Sequence, residues 1–231
     1  MLLRDFNWWQ RHLGVIILSG IAVYAFGELR AEWSAMHKWN RAVGDASLVL
    51  VSLAMAVGPL GRLWPRAVKF IAWRRELGIW ATLLAIVHTV IILGGWVEWN
   101  LIRLFGYEFH PGLGSYVMVQ HGFALANAIG ILAVLYAVVL GLTSNNWSQR
   151  FLGGSVWKFL QQGAYVLWSL VVVHTAYFLY LHFQDFHRRV PEPNELQMPF
   201  AILVALVMGL QFLAFLKTWR ARRKRSGYAP A

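Results

Sequence analysis

Six stretches of the chain stay apolar for long enough to cross a membrane, and polar or helix-breaking residues bound each of them. They run over about 12–28, 46–61, 76–97, 117–142, 157–181 and 198–216. A helix rising 1.5 Å per residue needs about 20 apolar residues to cross the hydrocarbon of a bilayer. The pattern predicts an all-α integral membrane protein, a six-helix bundle. Gly58-Pro59-Leu60-Gly61 and Pro65 are expected to end the second span, since proline removes a backbone donor. His110-Pro111-Gly112 and Pro191-Glu192-Pro193 punctuate two further loops. No linker is long enough to separate domains, so residues 1–231 read as a single domain.

Composition agrees with the pattern. The chain is 58% hydrophobic, above the roughly one-half usual in soluble domains. Its net charge of +11 needs no nucleic-acid partner, because membrane proteins gather Lys and Arg in cytoplasmic loops. Of the 21 basic residues, 15 fall on the side of both termini: Arg4 and Arg11, five over 62–75, Arg150 and Lys158, and six in the tail. The remaining six, Arg30, Lys38, Arg41, Arg103, Arg188 and Arg189, fall on the other side. Both termini are therefore expected in the cytoplasm, with the basic run Lys217–Arg225 as an anchor near anionic lipid. The first span, starting near Leu13, reads as an uncleaved anchor. Most of the 13 tryptophans lie near predicted membrane edges, as interfacial belts do.

Ionisable side chains inside spans are costly and mark function. Two histidines sit well inside: His88 and His174. Each lies about 15–17 Å, at 1.5 Å per residue, from the acidic residue beyond its span, Glu98 or Asp185. Matched depth on two helices is what an iron held by two imidazoles requires. There are no cysteines, so thiolate ligation and iron–sulfur clusters are excluded within the chain. Ala81, Ala85 and Gly95 on the third span, and Gly163 on the fifth, are expected to let a flat macrocycle approach. A lone buried histidine would more simply bond a neighbouring helix; two at equal depth favour haem. His12, His37, His110, His121, His182 and His187 read as solvated residues at ends and loops. Gly122, Ala126 and Gly130 read as a small-residue face for helix packing, without chemistry.

With those residues placed, the chain resembles the ferric reductase-like transmembrane superfamily over about 44–182, and within it the haem-binding membrane subunits of the MsrQ (YedZ) type. The resemblance rests on Arg74-Arg75-x-Leu77-Gly78 followed by His88, on Leu142-Thr143-Ser144-Asn145-Asn146, and on Gln149-Arg150-x-Leu152-Gly153 leading to Trp157-Lys158, Tyr165 and His174. It implies a haem b electron carrier with His88 and His174 as axial ligands. It also implies a flavin (FMN) or quinone site at Arg74 and Arg75, whose plainer role is topological anchoring. Relatives carry a histidine thirteen residues before the last one; here that position is Gln161. One haem is therefore expected rather than two.

The function implied is an electron-transfer subunit of an oxidoreductase in a bacterial inner membrane. Electrons would pass from a cytoplasmic reductase or quinol to a periplasmic or membrane partner. The alternative is an accessory subunit of a larger complex whose haem is structural. No G-x-G-x-x-G loop is present, so the donor's nucleotide chemistry is expected elsewhere.

Overall fold

The structure is a computed structural model that describes residues 7–119, 121–182 and 194–225. Five helices are long and apolar enough to cross a membrane: 35–63, 73–96, 122–143, 154–181 and 197–225. Helix α1, Trp8–Glu28, precedes them and is not one of the five. It opens on a reciprocal cap, the Asn7 side chain accepting from the Gln10 amide and Gln10 reaching back to the Asn7 amide.

Helix α2, Ala35–Leu63, is the hub: it packs on α1, on α3 (Trp73–Ile91), on α8 (Gly163–Ala176) and on the last helix, α9 (Gln197–Arg225). Of its central residues 61% are buried, against 17–33% for the other four spanning helices. It begins well before the expected residue 46, because its polar residues turn inward. Asn40 is buried, and Asp45 takes an ion pair from Arg30 at 2.6 Å. It also continues through Pro59 instead of ending there. Proline leaves the carbonyl four residues earlier without its helical donor. That carbonyl, Met55 O, accepts instead from Gln211 Nε2 of α9 at 2.9 Å. Membrane helices tolerate proline when a neighbour re-satisfies the freed group in this way. Lys217 Nζ then covers the last α2 carbonyls, Arg62 O at 2.7 Å and Leu63 O at 3.1 Å, so the first lysine of the basic tail also closes a helix end.

The fourth span starts later than residue 117. After the short α4, Leu101–Leu104, strands β1 (Tyr107–His110) and β2 (Ser115–Met118) pair antiparallel, Tyr107 opposite Met118. A short apolar run such as Tyr116-Val117-Met118 carries too few residues for periodicity to separate strand from helix. Helix α5 then runs from His121 to Thr143, followed by α6 (Asn146–Leu152) and α7 (Gly154–Gln161). Gly153 joins α6 to α7 at φ +75°, a left-handed conformation that glycine adopts without strain.

The buried core joins Leu50 and Met55 of α2, Leu77 of α3, Ala133 of α5, Trp168 of α8 and Val207 of α9. Trp168 Nε1 donates to Ser52 Oγ at 3.1 Å inside it. The outward faces expose Leu83 and Val90, Leu132 and Leu142, and Leu206 and Phe212. Apolar surface this extensive suits lipid rather than water. Both helices that carry the predicted histidines loosen just beyond them, α3 into a π turn over Ile92–Trp96 and α8 into one over Tyr177–Leu181. Such turns concentrate at functional sites.

Candidate functional site

His88 and His174 face one cavity of about 940 Å³ between α2, α3, α5, α7 and α8. Their ring centres lie 6.4 Å apart with the planes at 87°. His88 Nδ1 lies 2.9 Å from Asn40 O, and His174 Nδ1 lies 2.8 Å from Ala126 O. A carbonyl oxygen can only accept, so each neutral ring carries its proton on Nδ1 and keeps the Nε2 lone pair. This is the orientation that outer-shell partners impose on metal-binding histidines.

Backbone geometry explains how the rings reach those carbonyls. In a helix the residue four positions on covers a carbonyl, and here that residue is glycine both times. A Cβ on Gly44 would lie 3.0 Å from His88 Nδ1; one on Gly130 would lie 2.8 Å from His174 Cε1. Each histidine is thus seated in a notch on the neighbouring helix, one on α2 and one on α5. The halves match in spacing. Asn40, Gly44 and His88 recur 86 positions later as Ala126, Gly130 and His174, and each histidine follows its carbonyl by 48 residues.

The arrangement fits a haem. Two metal–imidazole bonds of about 2 Å, plus about 1.1 Å from each nitrogen to its ring centre, put the centres about 6 Å apart. The porphyrin supplies four ligands, so two histidines suffice. Among the described residues no three His, Asp or Glu side chains converge as a metal cage built from protein alone would need. Gly58 and Gly78 leave further parts of the wall bare, and Asn40 Oδ1, on the residue whose carbonyl holds His88, is buried without a hydrogen-bond partner among the described residues.

The cavity runs well past the two histidines. Toward the hairpin it is lined by His37, Arg41, Trp96, Phe123, Phe178 and His182. Toward the opposite end it is lined by Arg62, Arg74, Arg75, Asn146, Lys158 and Gln161. Arg75 Nη1 donates to Asn146 Oδ1 at 3.1 Å, and Gln161 Nε2 donates to Thr143 Oγ1 at 3.1 Å. Trp157 Nε1 ties α7 to Thr143 O at 2.8 Å. The Asn145-Asn146 and Trp157-Lys158 motifs therefore build this end of the cavity.

Several sequence expectations change. Gly122, Ala126 and Gly130 form more than a packing face, because they seat Tyr177 and His174. Ala81 and Ala85 do line the cavity, whereas Gly95 is filled by Met36 and Gly163 lies against Tyr136 and Leu140. His182 is not solvated but 9% exposed, packed with Phe123 and Phe178. His12 accepts from Trp80 Nε1 at 3.1 Å, beside an ion pair of Arg11 with the fully buried Glu76. His37 stands in the cavity wall next to Trp96. His110 is exposed on β1, while the side chain of His121 and all of His187 lie outside the described residues. The sequence does not single out Asn40 or Gly44, and it marks Arg41 only as one of six basic residues on the side away from the termini. The signal that exposes them is the equal spacing of 44 from Gly44 to His88 and from Gly130 to His174.

Comparison with known proteins gives this geometry a family. The ferric reductase-like transmembrane component family matches residues 43–168, more than half of the chain. The chain belongs to that family. The ferric reductase-like region thus takes in α2 from residue 43, α3, α5 and the first part of α8, including both notch glycines and His88 but neither Asn40 nor His174. The chain is 27% identical over 138 residues to the magnetosome protein MamZ of Paramagnetospirillum magneticum, covering 58% of this chain and 19% of that one. An uncharacterized protein of Treponema pallidum is 30% identical over 106 residues, 46% of this chain and 26% of that one. The chain therefore spans a fifth to a quarter of the length of these relatives. Family membership and the five apolar helices together make this a multi-pass membrane protein of the ferric reductase-like kind.

Proposed function

We propose that the chain is a membrane electron-transfer subunit holding one haem b between His88 and His174. The observation that carries the reading is the paired seat: two imidazoles 6.4 Å apart, each fixed by a backbone carbonyl so that Nε2 is left to bind. Bound there, a haem supplies a one-electron carrier deep in the membrane. The chain's own residues set the tautomer, hold the rings in position and exclude lipid from the site.

In this reading α1 is a sixth crossing, both termini are cytoplasmic, and the membrane is a bacterial inner membrane. The end lined by Arg62, Arg74, Arg75 and Lys158 then faces the cytoplasm. Those cations suit an FMN phosphate or a quinone, which would bridge a cytoplasmic reductase or quinol to the haem. The end lined by Trp96 and Phe123 faces a periplasmic or membrane partner, the arrangement of MsrQ-type subunits.

An absorption spectrum and a pyridine haemochrome assay of the purified protein test the reading; one b-type haem per chain is expected. Absence of haem from protein made in haem-replete cells would sink it. Membranes then separate conduction from a structural role. Haem reduced by quinol, or by NADH with a flavin reductase, and reoxidised by an external acceptor conducts; haem inert to both is structural.

A further inference from the structure

Arg41 is the cation that the haem reading leaves unexplained. It lies in the cavity wall on the hairpin side of the histidines, between Asn40, whose carbonyl holds His88, and Gly44, which receives the His88 ring. Its guanidinium stands 5.1 Å from the ring centre of Phe178, and Phe178 packs 5.0 Å from His174. Arg41 therefore borders both histidines. Among the described residues it has no ion pair. Asp45, one turn along α2, is engaged by Arg30 at 2.6 Å, and the other acids in ion pairs, Glu28, Glu76, Glu98 and Glu108, belong to Lys38, Arg11 and Arg103. Asp45 is close enough to Arg41 to act on its charge, but its carboxylate is held by Arg30, so the Arg41 guanidinium lines a membrane helix bundle without a carboxylate of its own, a costly arrangement. A fold that keeps it there implies an anion that arrives with the ligand.

We propose that Arg41 binds a propionate carboxylate of the haem held by His88 and His174, and so sets which edge of the macrocycle faces the hairpin. The inference rests on the haem reading. A haem carries two carboxylates on one edge, and a forked guanidinium is the side chain best matched to a carboxylate. The cations of the opposite end, Arg62, Arg74, Arg75 and Lys158, are left for other anions. The cation also lies close enough to the iron site to favour the reduced, less positive state.

The test uses the full-length, haem-loaded protein with Arg41→Gln, Arg41→Lys and Asp45→Asn. Arg41→Gln is expected to lower the haem midpoint potential and to shift the propionate bending mode in resonance Raman spectra. Arg41→Lys should keep the potential nearer the parent's, and Asp45→Asn should leave the propionate mode unchanged. An Arg41→Gln protein with haem bound and a parental propionate mode overturns the proposal while leaving the haem site standing. Should Arg41→Gln lose its haem, the unmodified protein decides. After haem extraction it should take up free-acid haem about tenfold more tightly than the propionate dimethyl ester, the loss of one charge-assisted hydrogen bond. Equal uptake of the two overturns the inference. Failure of both to bind, with no haem in the protein as isolated, overturns the haem reading instead.

Discussion

The α2–α3 half and the α5–α8 half solve one problem with the same parts. Each offers a carbonyl, a glycine four residues later, a histidine 44 residues after that glycine, and a π turn just beyond the histidine. At the level of Arg74 and Gln161 the match fails. Fourteen and thirteen residues before His88 stand Arg74 and Arg75, and thirteen before His174 stands Gln161. The polar lining changes from two neutral imidazoles to guanidinium and amide groups. Two imidazoles that face one cavity need matched geometry on both helices, whereas the level of Arg74 and Gln161 joins unlike donors.

Breaking the matched pair should have the largest effect. His88→Ala or His174→Ala should each remove essentially all b-type haem, read from the reduced spectrum of purified protein, because one axial ligand does not replace two. Full haem content in either variant would refute the ligand assignment.

The two notches differ slightly. An alanine at 130 puts its Cβ 2.8 Å from the His174 ring, and that ring cannot retreat without giving up Ala126 O. Overpacking of this kind costs about 1–3 kcal/mol. At Gly44 the contact is 3.0 Å, so less displacement is needed. Haem retention during dilution should therefore fall more in Gly130→Ala than in Gly44→Ala. Gly163→Ala, with its nearest contact at 3.6 Å, should match the parent. The reverse order would show that the carbonyl bonds do not govern seating.

A smaller effect belongs to the one half that contains a proline. Gln211→Leu should leave Met55 O unserved and lower stability in detergent by about 1–2 kcal/mol, with an unchanged haem spectrum. Adding Pro59→Ala restores a backbone donor to that carbonyl and should recover most of the loss. No recovery would mean that Gln211 stabilises through packing alone.

These residues also mark how far the sequence can be read. Five of the six expected spans are legible because hydrocarbon length imposes a pattern, and His88 and His174 stand out because ionisable groups there are rare. The start of α2 is not legible, since Asn40, Arg41 and Asp45 look like loop residues until Arg30, the cavity and His88 give them somewhere to face. Pro59 reads as a stop because the residue that rescues it, Gln211, lies 152 positions away. The notch glycines are hidden for a similar reason. A small-residue spacing on α5 signals close approach, but the approaching group, a backbone or an imidazole, is specified by another helix.

The smallest effect should come from Gln161→His alone. Its amide nitrogen is spent on Thr143 Oγ1 at 3.1 Å, so the position already faces α5 as well as the cavity. A histidine there would gain one ring nitrogen, yet the facing end of α3 presents Arg74 and Arg75, with Arg75 anchored to Asn146. Neither guanidinium can ligate iron, since both remain protonated. A single imidazole opposite two cations leaves an added haem with one protein ligand. Haem per chain should therefore stay at one in Gln161→His. A second histidine on α3, as Arg74→His or Arg75→His in the same protein, is the change that should raise it. Two haems in the single variant would show that the Arg74–Gln161 level had been matched after all, through a ligand supplied from elsewhere in the chain.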